Sequence, residues 1–486
     1  MATLNNLNFD NSFARLPAGL FSRVEPGGFA RPFLVAFNPE VAGLLDLDPA
    51  CAKNPDFVDY FGGRKLLPGS EPLAMKYTGH QFGVYNPDLG DGRGLLLGEV
   101  VNAQGEAWDL HLKGAGKTPY SRFGDGRAVL RSCIREYLGS EAMHSLGIPS
   151  TRALCIVGSD EPVLREKTEY GAMLLRVADT HIRFGHFEWL FHSGQPELLR
   201  ILADYVIEKH FPELAEGPDR HARFFAEVVR RTARLMAFWQ LVGFAHGVMN
   251  TDNFSITGAT FDYGPFGFLD ACEPGFICNH SDYHGRYAWN QQPSVGLWNL
   301  NALAGALSGL IGKDALVAAL QGYEGELLST YALGLRQKLG LRTEQAGDQE
   351  LASGFLELLA RNGADYTRSF RALSLIRSDA SLPALRDDFV DREAFDAWLR
   401  RYRDRLRAEN SDDRERARRM DAVNPKYVLR NYLAQVAIDK AEAGDYSEIE
   451  KLRRLLGRPF DEQPENAAYA DLPPDWGRHM EISCSS

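Results

Sequence analysis

Two polar segments constrain the fold of this chain more than any other feature. One is the loop His246-Gly-Val-Met-Asn-Thr-Asp-Asn253, and the other is Asp262-Tyr-Gly264, which begins nine residues after Asn253. Asn253 and Asp262 carry side-chain oxygens of the kind that coordinate magnesium. A metal that bridges phosphate groups requires such oxygens on one side of a cleft. We therefore predict that Asn253 and Asp262 are metal ligands on neighbouring loops.

Protein kinases use the same spacing, with His-Arg-Asp, an asparagine five residues after that aspartate, and then Asp-Phe-Gly. Here Val248 stands at the position of the kinase aspartate, and a valine can neither accept a proton nor orient a hydroxyl. Ordinary phosphoryl transfer is therefore not supported. Asp252 precedes Asn253 directly, so its carboxylate is predicted to act as a base or a metal ligand from a shifted position.

The segments before these loops follow the kinase order as well. An apolar run from Leu95 to Val101, a turn, and an alternating segment from Glu106 to Lys113 predict a β-hairpin with Lys113 on its polar face. Apolar residues at helical spacing then predict a helix with Glu136 at the rim of its apolar stripe and Gly139 near its end. Lys113 and Glu136 are predicted to form the ion pair that holds the lysine on phosphate oxygens.

Further candidates for nucleotide contact lie on glycine loops and on one strand. The tetrapeptide Gly-Asp-Gly-Arg occurs twice, and glycines allow the backbone to approach phosphates closely. Arginines near a predicted strand offer forked donors that suit phosphate oxygens. The predicted nucleotide-binding residues are Gly90, Gly92, Arg93, Lys113, Asp125, Gly126, Arg176, Arg183 and Asp262.

A second motif, Gly114-Ala-Gly-Lys-Thr118, resembles a P-loop. A P-loop requires a further glycine five residues before Gly116, and His111 occupies that position here. Lys117 is therefore not expected to bind phosphate.

Composition excludes several other classes of protein. The net charge of −11 argues against a nucleic-acid binder, which needs a basic surface. The sequence contains no apolar stretch long enough to span a membrane and no secretory leader, so a cytoplasmic protein without a membrane partner is expected. The six cysteines lie far apart and show no zinc-site spacing.

Over nearly its whole length, the sequence resembles the SelO (YdiU) family of pseudokinase-like protein adenylyltransferases. The resemblance is carried by Lys-Tyr-Thr-Gly-His-Gln-Phe-Gly at residues 76–83, Leu-Gly-Asp-Gly-Arg-Gly at 89–94, the segment 111–122 and the metal-loop segment 246–267. It implies an α+β, protein-kinase-like two-lobed fold. The expected parts are an N-terminal extension packed on the lobes (1–75), an N-lobe (76–190), a C-lobe (191–330) and a helical C-terminal region with a tail (331–486).

The resemblance also implies an activity. ATP would lie flipped in the cleft, so that AMP passes to Ser, Thr or Tyr hydroxyls of protein substrates with release of pyrophosphate, in the presence of Mg²⁺ or Mn²⁺. Asp252 would be the base, and the nucleotide-binding and metal-binding residues would be those named above. Some family members carry selenocysteine near the C-terminus where this chain has Cys484, which suggests a redox role for Cys484. We predict that Cys484 pairs with Cys272, because Cys272 lies shortly after the metal loop.

Two other functions remain open from the sequence. A kinase that uses Asp252 as a displaced base would transfer the γ-phosphoryl group with the same metal ligands. An inactive nucleotide-binding scaffold is a second alternative, although a complete set of Lys113, Glu136, Asn253 and Asp262 would be unnecessary in one.

Overall fold

The computed structural model describes residues 2–379, 381–478, 480 and 482. Its strands are β1 (Phe21–Arg23), β2 (Phe33–Phe37), β3 (Leu73–Met75), β4 (Gly79–Gln81), β5 (Val84–Asn86), β6 (Gly94–Val101), β7 (Ala107–Lys113), β8 (Ala128–Val129), β9 (Arg152–Leu164), β10 (Thr168–Ala178), β11 (Phe244–Ala245) and β12 (Gly267–Phe268).

Helices fill most of the second half of the chain. They are α1 (Pro39–Leu44), α2 (Asp56–Phe61), α3 (Leu130–Ser145), α4 (Phe184–His192), α5 (Pro196–His210), α6 (Arg220–Val242), α7 (Gln292–Leu307), α8 (Lys313–Lys338), α9 (Asp348–Asn362), α10 (Tyr366–Ala372), α11 (Arg392–Ala408), α12 (Asp413–Asp421), α13 (Asn431–Glu442) and α14 (Ser447–Leu456). None of the helices in the described ranges has the length and apolar character that crossing a bilayer requires.

The fold is mixed α/β and is built around an antiparallel sheet. The strands follow the order β1-β3-β6-β7-β10-β9-β2, and β8 pairs with β10. The segment before residue 76, which was expected to pack on the lobes as an extension, supplies β1, β2 and β3 to this sheet. The bounds of the four expected parts stay a prediction.

The β6–β7 hairpin matches the two predicted segments to within one residue, but its polar face is not solvated. Asp109, His111 and Lys113 are all buried, with 5%, 2% and 4% of their surface exposed. Helix α3 packs near this sheet and contacts β9 and β10. The polar face of β7 is therefore an interior surface, which the local pattern cannot reveal.

Helix α3 is longer than the sequence predicts. Gly139 lies inside the helix, which continues to Ser145. A side chain at Gly139 would overlap the ring of Phe266, so this glycine permits close packing of α3 against the segment after Asp262. Glu136 is only 1% exposed, so it lies within the core rather than at the rim of the apolar stripe.

A short antiparallel pair closes the polar loops. Helix α6 ends at Gly243, whose φ of 68° turns the chain into β11, and β11 pairs with β12. The segment between these strands contains both His246–Asn253 and Asp262–Gly264. Pairing β11 with β12 therefore folds the two predicted metal-binding segments into one loop system.

Two apolar cores organise the helical part. Residues 427–456 join the core that also contains α3, α6 and part of the sheet, and α13 and α14 pack on α3. Residues from Leu335 to Met420 form a separate apolar cluster. Helices α13 and α14 thus support the helix that carries Glu136.

Candidate active site

A cleft of about 640 Å³ lies between the sheet and the loops that follow α6. Its walls hold every residue that the sequence predicts for nucleotide, metal and base roles, apart from Glu136, which lies behind Lys113. From the sheet side these are Gly90, Gly92, Arg93, Lys113, Asp125, Gly126, Arg176 and Arg183, and from the loop side Asp252, Asn253 and Asp262.

Strand register explains why the cationic residues meet. In β7, Lys113 lies opposite Gly94, the residue that ends the first glycine loop. His111 lies two residues earlier on the same face and pairs with Arg176 of β10. Since alternate strand residues share a face, Lys113 and Arg176 point to the same side of the sheet.

Glu136 joins the two cations. The ammonium group of Lys113 donates to Glu136 at 2.7 Å and to the Ser132 hydroxyl at 3.2 Å. The Arg176 guanidinium also donates to Glu136, through Nε and through Nη2 at 3.1 Å. Burial would raise the pKa of Glu136, but Arg176 and Lys113 outweigh that effect and hold the pKa below its ordinary value. The carboxylate therefore stays ionised and fixes both cations.

Asp262 is held by two arginines. Its Oδ1 lies 2.6 Å from Nη2 of Arg176, and its Oδ2 accepts a hydrogen bond from Arg183. Burial acts to raise the pKa of Asp262, but Arg183, Arg176 and Lys113 hold that pKa far below the ordinary value of an aspartate. The backbone φ of 57° places Asp262 in the left-handed region, which few non-glycine residues adopt. These contacts give the cleft a permanently charged carboxylate in a fixed position.

Arg183 is fixed from several sides. Its guanidinium lies 4.5 Å from the ring centroids of both Tyr77 and Phe261. It also donates to the backbone carbonyl of Asp252 at 2.8 Å. Arg183 thus connects Asp262 with the loop that carries Asp252.

His246 and Asn253 hold the loop from within. The Nε2 atom of His246 lies 3.0 Å from the carbonyl oxygen of Phe261, and its ring stacks on Trp239. The side-chain nitrogen of Asn253 donates to the Val248 carbonyl at 3.0 Å. That bond leaves the amide oxygen of Asn253 as the acceptor that can face a metal.

Asp252 differs electrostatically from Asp262. Burial raises the pKa of Asp252 to about 7, although Arg183 acts in the opposite direction. Its Oδ1 is buried and has no hydrogen-bond partner in the described part of the chain. A buried carboxylate with a free oxygen and a pKa near neutrality is suited to accept a proton.

The second glycine loop is fixed by an arginine that the sequence analysis did not identify. Arg165 contacts both carboxylate oxygens of Asp125, at 2.7 and 3.1 Å, and donates to the Arg127 carbonyl at 2.8 Å. Gly126 has a φ of 74°, and a side chain there would overlap Gly116. Only glycine fits this close crossing of two backbone segments.

The first glycine loop is fixed by Asp91, which the sequence analysis also missed. Asp91 accepts the Met75 backbone N–H at 3.0 Å and lies 3.2 Å from Nε2 of His111. The Gly-Asp-Gly-Arg duplication was a usable signal, because Asp91 and Asp125 occupy equivalent positions in it. Asp91 is buried beneath the first glycine loop, whereas Asp125 is exposed in the second.

Asn253 and Asp262 are the oxygen donors that the sequence predicts as metal ligands. Among the residues that the structure describes, no group of three or more His, Cys, Asp or Glu side chains is arranged to hold a metal ion. Magnesium commonly takes one or two protein oxygens and completes its shell with phosphate oxygens and water. Asn253 and Asp262 therefore fit a metal that arrives with a nucleotide.

Of the two cysteines that are expected to form a redox pair, Cys272 lies among the described residues. Cys272 is a free, buried thiol, and burial raises its pKa to about 11. Cys484 lies outside the described residues. The pairing of Cys272 with Cys484 stays a prediction.

Replacing Lys113 with methionine is expected to weaken ATP binding by about tenfold or more, because the predicted charged hydrogen bond from Lys113 to a phosphate oxygen would be lost. The matched change is Lys117→Met. Lys117 is exposed, whereas Lys113 is buried beside Glu136. Calorimetric titration with ATP and Mg²⁺ measures both variants, and Lys117→Met should bind within about twofold of the wild type. Equal or reversed effects would favour the P-loop interpretation instead.

Comparisons with known proteins agree with the resemblance seen in the motifs. A family model described as protein adenylyltransferase SelO matches residues 3–456. A "Protein nucleotidyltransferase YdiU" of Myxococcus xanthus is 58% identical over 488 residues, covering all of both chains. A relative of the same name from Pseudomonas fluorescens strain SBW25 is 55% identical, again over both complete chains. One from Yersinia pseudotuberculosis is 54% identical over 98% of this chain and 99% of its own.

Proposed function

The chain belongs to the SelO family of protein adenylyltransferases, and on that premise we propose that it transfers AMP from ATP to Ser, Thr or Tyr hydroxyls of other proteins. The products are the O-adenylylated protein and pyrophosphate. Asp252 carries this proposal, because it lines the cleft where Val248 supplies no base, and its buried Oδ1 has no hydrogen-bond partner among the residues that the structure describes.

The proposed reaction assigns a task to each charged group. The acceptor oxygen attacks the α-phosphorus, its proton passes to Asp252, and the bond from the α-phosphorus to the oxygen bridging to the β-phosphorus breaks. Lys113, Arg176 and Arg183 line the cleft, and their proposed task is to stabilise the charge on the phosphate oxygens. Asn253 and Asp262 would hold Mg²⁺, or Mn²⁺, which neutralises phosphate charge when it is bound.

A protein-kinase-like two-lobed arrangement is part of the same proposal. It is supported by the cleft between an antiparallel sheet that carries Lys113 and a helical part whose loops carry Asn253 and Asp262. The buried Lys113–Glu136 pair between a strand and α3 also supports it. In this arrangement a flipped ATP molecule presents its α-phosphate towards Asp252.

Parallel reactions with ATP labelled at the α- or the γ-phosphate test the proposal. We expect α-label on protein hydroxyls, a mass gain of one AMP unit per modified site, and release of pyrophosphate. Incorporation of γ-label, with α-label remaining in solution, would establish the kinase alternative. Binding of ATP without transfer of either label to any protein would instead indicate the inactive scaffold.

A further inference from the structure

A second cleft, of about 790 Å³, lies beside the first and shares one wall with it. That wall is the β4–β5 hairpin, since Gln81 lines the nucleotide cleft and the next residue, Phe82, lines the second cleft. The opposite walls come from the segment 275–288 and from the start of α7. We define the apolar groove as the surface formed by Phe82, Ile277, Tyr283 and Trp298.

The four side chains of the apolar groove are unusually exposed for their type. Phe82 is 41% exposed, Ile277 43%, Tyr283 80% and Trp298 36%. Large apolar side chains grouped at one surface commonly mark an interaction site. Aromatic residues are also the ones that contribute most to binding at protein interfaces. The groove therefore has the composition of a docking surface for a protein segment.

Hydrogen bonds and a cation–π contact hold one wall of the groove in place. Asp282 is buried and accepts the backbone N–H groups of Arg286 at 3.0 Å and of Tyr287 at 2.7 Å. The Arg286 guanidinium lies 4.9 Å from the ring centroid of Trp298. A preformed surface loses little conformational entropy when it binds a partner.

Hydrogen bonds connect the groove to the loop that carries Asp252. The Tyr287 hydroxyl donates to Asn250 Oδ1 at 2.7 Å and accepts the backbone N–H of Phe82 at 2.9 Å. The backbone N–H of His80 donates to the Thr251 hydroxyl at 2.7 Å. A ligand in the groove would thus lie against the elements that position the proposed base.

Asp252, the proposed base, lies close to Phe82 of the groove. A side-chain carbon built on Gly79 would lie 2.9 Å from Asp252 Oδ1. Phe82 follows Gly79 by three residues, which span at most about 10 Å in a strand. An extended peptide bound alongside would cover the same distance with about three residues.

We propose that the apolar groove binds an extended segment of the acceptor protein and selects a large apolar side chain about three residues from the modified hydroxyl. This rests on the proposed transfer of AMP to proteins, which requires an acceptor chain to pass close to Asp252. The groove is the apolar surface that adjoins the cleft on the side of the β4–β5 hairpin.

Short synthetic peptides test this selection. Each carries one central Ser, Thr or Tyr in a background of alanine, glycine and lysine, and one phenylalanine is moved residue by residue along the peptide. With α-labelled ATP, the wild type should modify peptides with phenylalanine about three residues from the hydroxyl with a kcat/KM about tenfold above the phenylalanine-free peptide. The double variant Phe82→Asn, Tyr283→Ser should lose this preference and bind ATP as the wild type does.

The substitutions are chosen to leave the backbone undisturbed. Phe82 has a φ of 50°, a conformation that asparagine tolerates better than most residues. The matched control, Leu375→Ser with Val390→Ser, removes apolar side chains that are 76% and 91% exposed and that line neither cleft. It should keep the wild-type preference.

Two outcomes separate the docking proposal from the proposed function. Equal transfer to all peptides, or a preference that survives in the double variant, would overturn the docking surface and leave AMP transfer in place. If the wild type transfers no α-label to any peptide or to casein, a partly unfolded carrier protein, the proposed transfer fails and the docking surface fails with it.

Discussion

Replacing Asp262 with asparagine is expected to lower AMP transfer by about a hundredfold or more, a loss typical of removing one group that stabilises developing charge. Asparagine has nearly the same shape and tolerates the φ of 57° at this position. Its amide cannot supply an anionic ligand to a metal, and its nitrogen would face arginine donors. Transfer of α-label at ordinary magnesium concentrations measures the effect.

The same substitution is also expected to reduce stability. The sequence alone predicts that Asp262 is a metal ligand and that Asp262→Ala leaves the fold intact. The ion pairs of the structure lead us to expect a loss of stability instead, because Asp262 compensates the buried guanidinium groups of Arg176 and Arg183. Leaving a buried charge without its partner costs up to about 3–5 kcal/mol. The midpoint of urea unfolding should therefore fall relative to the wild type.

A matched variant separates the two effects of Asp262. Asp270 pairs with the buried Arg430, and its side chain is 28% exposed against 19% for Asp262. Asp270 does not line the cleft. Asp270→Asn should lose stability and keep transfer per folded molecule. If Asp262→Asn turned over at the wild-type rate, Asp262 would not be a metal ligand.

The elements that the sequence predicts well are those whose signal is local. The β6–β7 hairpin follows from alternation, and the end of α6 follows from Gly243. The distance of 23 residues between Lys113 and Glu136 suggested a strand and a helix that face each other, and the two side chains are in contact. Spacing along the chain was sufficient here, because the alternation of a strand and the periodicity of a helix each indicate which side chains share a face.

What the sequence could not predict depends on contacts between distant segments. Nothing near Asp262 indicates that Arg176 and Arg183 both bind it, since these arginines lie 86 and 79 residues earlier. The burial of His111 and Asp109 depends on how neighbouring elements cover β7. The segment from Arg386 to Met420 is dense in charges of both signs, a composition that predicts a solvated helical face. Arg416 in this segment is nevertheless fully buried, with its guanidinium bound to the Ile376 carbonyl. Burial of this kind is decided by packing rather than by local composition.

Asp252→Asn is expected to lower the transfer of α-label by about 10²–10⁴-fold, the usual contribution of a general base, while ATP affinity stays close to that of the wild type. Burial disfavours the charged form of Asp252 in the folded chain, as its raised pKa of about 7 indicates. Asparagine removes that cost, so the variant should unfold at a temperature no lower than the wild type. Loss of transfer together with retained stability is the signature of a chemical rather than a structural role.

Replacing Val248 with the aspartate that kinases carry, alone or together with Asp252→Asn, tests which way ATP lies in the cleft. Val248 lines the cleft, and its carbonyl holds the side chain of Asn253. An aspartate at this position would supply a base at the kinase location, but a flipped nucleotide presents its γ-phosphate elsewhere. Neither Val248→Asp nor the double variant Val248→Asp, Asp252→Asn should therefore transfer γ-label. γ-Label on protein from either variant would show that ATP binds as it does in kinases, and undiminished α-transfer by Asp252→Asn would remove Asp252 as the base.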